Sequence, residues 1–165
     1  MLAAPAAGTT VERPRRDRGA GAHPRSLRAM PSLFTRIIAG EVPAQQVFAD
    51  ARFVAIMDIG PANPGHCLLI PRHEAQYLAQ LPAETLAALG ASLTRLITAV
   101  KGATGCPAVN VLVNDGPEAN QAITHAHIHV IPRWPGDAKL VHPKGTPYQG
   151  DEMATLATRL RAAAG

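Results

Sequence analysis

Several things are in short supply in this 165-residue chain. Aromatic residues make up 4% and charged residues 17%, and there are only two cysteines. Cys67 and Cys106 have no Cys-x-x-Cys spacing, so a thiolate metal knuckle is not expected, and two thiols fit a reducing, cytoplasmic setting, with a single disulfide as the alternative. No apolar run reaches the ~18 residues of a membrane span, so a membrane is not an expected partner. An excess of basic charge is also missing from the body of the chain. The net charge is +4, and residues 1–29 alone carry six arginines against Glu12 and Asp17, so the remainder is neutral. A nucleic-acid surface is therefore not expected.

Residues 1–30 are rich in Pro, Ala and Arg and lack apolar periodicity. They read as a basic extension, disordered or dispensable, ahead of a single domain over 31–165. A transit peptide is the weaker reading, because acids and prolines interrupt the arginines. Within the domain, "PSLFTRIIAGEVP" predicts a short helix with Ser32 as N-cap and Gly40 as its stop. "QVFAD", "FVAIMDI", "HCLLIPR", "AVNVLVN" and "THAHIHVIP" read as five strands. The segment from Leu81 predicts a long helix ending at Gly102, with Leu86, Leu89, Leu93, Ile97 and Val100 as its buried stripe. A last amphipathic helix is expected at about 151–163, with Met153, Leu156 and Leu160 on one face. Adjoining strands and few helices predict an α+β domain with a mostly antiparallel sheet.

The distinctive stretch is "HAHIHVIPR", 125–133. Alternate strand residues share a face, so His125, His127 and His129 are expected to form a row, backed by an apolar row of Ala126, Ile128 and Val130. Three imidazoles in one row suit either metal binding or nucleophilic attack by an uncharged ring nitrogen on phosphorus. A metallohydrolase would add a carboxylate close by. The candidates Asp115, Glu118 and Asp137 all lie off the strand, which makes metal the second reading.

His-Ala-His-Ile-His-Val-Ile resembles the signature of the histidine triad (HIT) nucleotide-binding proteins. "LFTRIIAGEVPAQQVFAD" and "VAIMDIGPANPGHCLLIPRHE" are similar to that family's opening and central blocks, and "NVLVNDGPEANQAITHAHIHVIPR" to its loop and triad strand. The likeness covers nearly all of 32–134. It implies a HIT-like five-stranded sheet and a covalent mechanism. His127 would attack the α-phosphorus of a nucleotide conjugate and then yield the nucleoside monophosphate to water. His125 and His129 would flank it and contact the phosphate, and His66 would lie near the leaving group. Asp58 would bind the ribose, and Asn114, Gln121 and the backbone at Ala122 would contact ribose and phosphate. Leu33, Phe34, Ile37, Ile56 and Ile59 would wall the base pocket.

The resemblance further implies a small-molecule nucleotide partner such as an AMP or GMP conjugate, a homodimer joined across the long helix and its adjoining strand, and no cofactor. "NDGPEANQ" and "IPRWPGD" look closest to the fragile histidine triad branch and its bacterial relatives, which act on dinucleoside polyphosphates; phosphoramidates and adenylates are the other expected substrates. A catalytically weak nucleotide-binding regulator is the alternative, and a metal-dependent hydrolase the remoter one. Three positions depart from the pattern. Ser32 and Thr35 stand where many members carry Cys-x-x-Cys, so no structural zinc is expected and His73 loses its partners. Asn120 replaces a frequent glycine, and Ala122 a frequent hydroxyl residue.

Overall fold

The computed structural model describes residues 30–139 and 145–165, so the extension expected over 1–30 lies, but for Met30, outside the described residues. The chain runs α1 (Leu33–Ile38), β1 (Gln46–Ala49), β2 (Phe53–Met57), β3 (Cys67–Pro71), α2 (Ala83–Thr104), β4 (Ala108–Val113), β5 (Ile128–Arg133) and α3 (Glu152–Ala163). The strands form one sheet in the order β1-β2-β3-β5-β4, with every neighbouring pair antiparallel. This is the α+β architecture expected from the strand spacing.

Both faces of the central strands are covered, which explains their unbroken apolar runs. Phe53 and Ala55 of β2, Cys67 and Leu69 of β3, and Ile128 and Val130 of β5 pack with Leu96 and Val100 of α2. The alternate residues Val54, Ile56, Leu68 and Ile70 pack on the other face with Phe34 of α1. His129 lies between Ile128 and Val130, so it points to the α1 side. The fold thus assigns one face to structure and leaves the other to a site.

Two helices differ from expectation. The buried line of α2 runs through Thr85, Ser92, Leu96 and Val100, while Leu89, Leu93 and Ile97 flank it and Leu86 is exposed. Ser92 Oγ donates to Asp50 Oδ2 at 2.8 Å, which pins the helix to the turn after β1. The helix also continues past Gly102 and stops at Gly105, whose φ of +66° is the left-handed C-cap. By length and composition α2 is apolar enough to cross a membrane, which the run-length argument missed; here Leu96 and Val100 belong to the core. In α3 the expected apolar face forms but is not covered: Met153, Leu156 and Leu160 are all exposed.

Gly65 sets the entry to β3. Its φ is +89°, and an added Cβ would lie 2.5 Å from Thr104 Cγ2 and 3.3 Å from Pro132 Cγ. Thr104 cannot swing aside freely, because its hydroxyl donates to Val100 O at 2.7 Å. Gly65→Ala is expected to destabilise the domain by about 2–3 kcal/mol, from left-handed strain plus the clash. Urea unfolding measures this, and an unchanged midpoint would contradict it.

Candidate active site

The site is built at the junction of three segments. The first is the loop 58–66 between β2 and β3. Asp58 folds it locally by accepting from the Gly60 N–H through Oδ1 at 2.8 Å, an Asx turn. Asp58 N donates to His66 O and His66 N donates to Asn63 O, both at 3.0 Å, which closes the loop. Buried Asn63 then donates to Pro132 O at 2.9 Å and to Asp137 Oδ2 at 3.0 Å. Asp137 is paired with Arg133, whose guanidinium holds that carboxyl well below the usual carboxylate range. The loop carrying His66 is thereby clamped to the end of β5.

The second segment is the approach to β5, and here the expected row is corrected. β5 begins at Ile128, so His125 and His127 precede the strand and only His129 lies on it. His125 N donates to Ile123 O at 2.8 Å, a bend that turns its ring inward, and the side chain is fully buried. His125 Nε2 donates to Pro71 O at 2.9 Å, and Nδ1 lies 2.8 Å from Ser32 Oγ. Both ring nitrogens are therefore occupied within the protein. His127 Nδ1 lies 2.7 Å from His125 O. A carbonyl oxygen only accepts, so the proton sits on Nδ1 and His127 Nε2 keeps its lone pair free.

A second directed chain ends at His129. Ala62 N–H donates to His66 Nδ1 at 3.2 Å, which places the His66 proton on Nε2. That Nε2 lies 3.0 Å from His129 Nδ1 and donates to it, so His129 must carry its proton on Nε2. Among the described residues His129 Nε2 is the buried side-chain polar atom with no partner. Beside the free lone pair of His127, across 4.9 Å between ring centres, stands an uncommitted donor. A nucleophile next to a donor suits a group that is electrophilic at its centre and anionic at its edge.

The third segment, α1 with residues 42–44 after it, supplies much of the wall. A pocket of about 340 Å³ opens over the two rings. Leu33, Phe34, Ile37, Ile56, Ile59, Asp58 and Ala122 all line it, as do His127 and His129. Phe34 meets His127 edge to face at 5.0 Å. Val42, Pro43 and Ala44 complete the wall and were not singled out from sequence, although "EVPA" lies inside a motif block. Ile59 is 98% exposed at the rim. His66 and His125 stand behind the lining. Gln121 is turned away: its amide accepts from Gly116 N–H at 3.0 Å and donates to Gln76 O at 2.8 Å. Asn114 reaches Asn120 O at 3.4 Å and does not line the pocket. Asn120 takes φ +64°, a left-handed position that asparagine tolerates where a glycine is frequent.

Imidazoles in edge-to-face contact, one with a free Nε2, thus lie under an apolar cleft beside a carboxylate on an α+β sheet. The HIT domain family matches residues 39–136. The chain belongs to the HIT family. It is 38% identical over 122 residues to the uncharacterized HIT-like protein MT1300 of Mycobacterium tuberculosis, covering 74% of this chain and 84% of that protein. Adenylylsulfatase HINT3 of Arabidopsis thaliana is 38% identical, covering 61% of this chain and 51% of that protein. The adenosine 5'-monophosphoramidase hnt1 of Schizosaccharomyces pombe is 34% identical, with 63% and 75% covered. The histidine triad nucleotide-binding protein of Candida albicans superposes with a TM-score of 0.72 at 27% identity, covering 81% of this chain and 97% of that one.

Burial governs the charge of the site. It lowers the pKa of His125 and of His66, the latter against the pull of Asp58. Burial, with the rings of His127 and His66 beside it, pushes His129 down to about 4. These three rings are neutral at pH 7, as the hydrogen-bond directions require. Asp58, His66 and His129 also place one ligand atom each within 4.8 Å of one another, a set able to hold a divalent cation.

The depressed histidines make stability pH-dependent in a known direction. An unfolded histidine takes up its proton near 6.5, whereas folded His129 waits until about 4. As pH falls from about 6.5 towards 4 the unfolded chain gains protons that the folded one does not, and stability drops; above pH 7 this contribution is flat. Urea midpoints are expected to fall between pH 7.5 and pH 5, with a shallower slope in His129→Asn. Equal slopes in the two proteins would contradict the assignment.

Proposed function

We propose that this chain is a nucleotide hydrolase that works through a covalent nucleotidyl-histidine at His127. The observation that carries the reading is the bond from His127 Nδ1–H to His125 O, which leaves Nε2 as the nucleophile facing the pocket. The cleft accepts the base against Phe34, Ile37 and Ile56, and Asp58 offers acceptors to the ribose hydroxyls. His127 Nε2 forms a bond to the α-phosphorus while the bond from phosphorus to the leaving group breaks; the electron pair departs with that group, and a leaving amine takes its proton from solvent. The ring becomes a cation whose Nδ1–H donates to the His125 carbonyl. His129 Nε2–H donates to the phosphate edge, where negative charge gathers. Water then forms a new P–O bond, the P–N bond breaks, and the monophosphate leaves with His127 regenerated.

The names of the relatives bear on the leaving group. One is an adenylylsulfatase and one an adenosine 5'-monophosphoramidase. They favour a phosphoramidate or an adenylyl mixed anhydride over the dinucleoside polyphosphates that the branch resemblance implies. β4 is an edge strand with Val111 and Leu112 exposed, which supports a homodimer across that edge. The cluster of Asp58, His66 and His129 favours a second reading, a metal-dependent hydrolase.

One experiment separates the readings. Purified protein is mixed with an AMP–amine phosphoramidate, adenylyl sulfate and diadenosine tri- and tetraphosphate, with and without excess chelator. AMP release is expected to persist in chelator and to fall by about a thousandfold or more in His127→Ala. Activity lost to the chelator, or retained by His127→Ala, would overturn the covalent reading.

A further inference from the structure

Ser32 sits where three elements meet. As the N-cap of α1, its Oγ accepts from Thr35 N–H at 3.0 Å. The same oxygen lies 2.8 Å from His125 Nδ1 and 3.1 Å from Thr35 Oγ1. Glu74, just beyond β3, binds the same turn from outside. Its carboxylate accepts from Ser32 N–H at 3.1 Å and from the Thr35 hydroxyl. The neighbouring Ala75 O accepts from Ala126 N–H at 2.7 Å, which fixes the main chain between the first two triad histidines.

The proton directions in this cluster are fixed except at the Ser32 hydroxyl. His125 Nε2–H is committed to Pro71 O, so in the neutral ring Nδ1 can only accept. Thr35 has given its proton to Glu74 and stands 3.4 Å from His125. Ser32 has one hydroxyl proton and two acceptors in reach, Thr35 Oγ1 at 3.1 Å and His125 Nδ1, the nearer, at 2.8 Å. We propose that Ser32 is a positioning residue, whose hydroxyl holds His125 in its Nε2–H form and so ties the helix that walls the pocket to the carbonyl that orients His127. The inference rests on the nucleotidyl-histidine reading for its consequence in catalysis, but the tautomer it assigns stands apart from that reading.

The consequence is specific to the donor. Without it, His125 Nδ1 is a buried acceptor lacking a partner, next to the Glu74 carboxylate. Protonation at Nδ1 or rotation of the ring then competes, and either shifts the carbonyl that takes the His127 Nδ1–H. A hydrogen bond to the neutral form keeps a histidine neutral, so its loss raises the pKa of His125. The cap alone predicts something different, since glycine is nearly as good an N-cap as serine but donates nothing from a side chain.

The test uses Ser32→Gly, which keeps the cap and removes the donor, and Ser32→Thr, which restores the hydroxyl. Two readouts are taken on the full chain: AMP release from a phosphoramidate across pH, and 15N chemical shifts of the His125 ring. In Ser32→Gly, kcat is expected to fall on the order of 10–100-fold, with KM little changed. The acid limb of its profile moves to higher pH, and Ser32→Thr recovers most of both. The nitrogen shifts are expected to report the Nε2–H tautomer in the wild type, and in Ser32→Gly a ring that mixes tautomers or protonates at higher pH. A His125 ring with unchanged tautomer and pKa in Ser32→Gly would overturn the proposal, whatever the activity. A wild-type protein that releases no AMP but shows the shift at His125 would remove the hydrolase reading and leave the Ser32 bond standing.

Discussion

The arrangement of the candidate site depends on where one proton sits. His127 can present a lone pair to the pocket only while its Nδ1–H is held by a group unable to donate in return, and the main-chain oxygen of His125 is such a group. That oxygen is aimed by a bend ahead of β5, and the bend is held in turn by the buried ring of His125 and by Ala126 on Ala75. Much of the surrounding structure serves this geometry. β3 brings Pro71 O against His125, α1 brings Ser32, and loop 58–66 brings His66 to direct the proton of His129.

The sheet makes the arrangement affordable by separating its two faces. On the α2 side, β2, β3 and β5 contribute an apolar layer that anchors the strands. On the α1 side the same strands contribute apolar residues near Phe34 but imidazoles towards the end of β5. Neutral imidazole buried with its nitrogens paired costs far less than a buried cation. The site is therefore stable near neutral pH and becomes strained when acid forces charge into it. In the proposed reaction a transient positive charge on His127 would be met by the carbonyl oxygen of His125 behind it, and the phosphate edge would meet the unpartnered His129 Nε2–H.

The residues that touch the pocket were largely legible in the sequence, and those that aim them were not. The alternation in "HAHIHVIPR" marked the imidazoles, and the motif blocks marked Asp58, Phe34, Leu33, Ile37, Ile56 and Ile59, all of which line one cleft. Period-two reasoning extended the strand too far, because a bend stabilised by Ser32, Pro71 and Ala75 leaves no trace in local periodicity. Glu74, Asn63 and the pair Arg133–Asp137 act across more than 35 residues or from loops, where no local pattern distinguishes a clamp from a surface polar group. Gln121 was legible as a polar loop residue, yet which backbone groups its amide would hold depends on the folded positions of Gly116 and Gln76. The stripe of α2 was read from its large apolar residues, while the buried line also runs through Thr85 and Ser92, which apolar periodicity does not mark. In α3 the amphipathic pattern gave the helix but not its partner.

The most direct measurement is to trap the proposed nucleotidyl-histidine intermediate. Wild-type protein mixed with an AMP phosphoramidate would be quenched in base within the first turnover, digested, and analysed by mass spectrometry under conditions that preserve P–N bonds. The account predicts one adenylyl group on the peptide containing His127, localised to that ring and absent in His127→Ala. An adenylyl group on another residue, or AMP formed in the first turnover with no adduct at any time point, would contradict it.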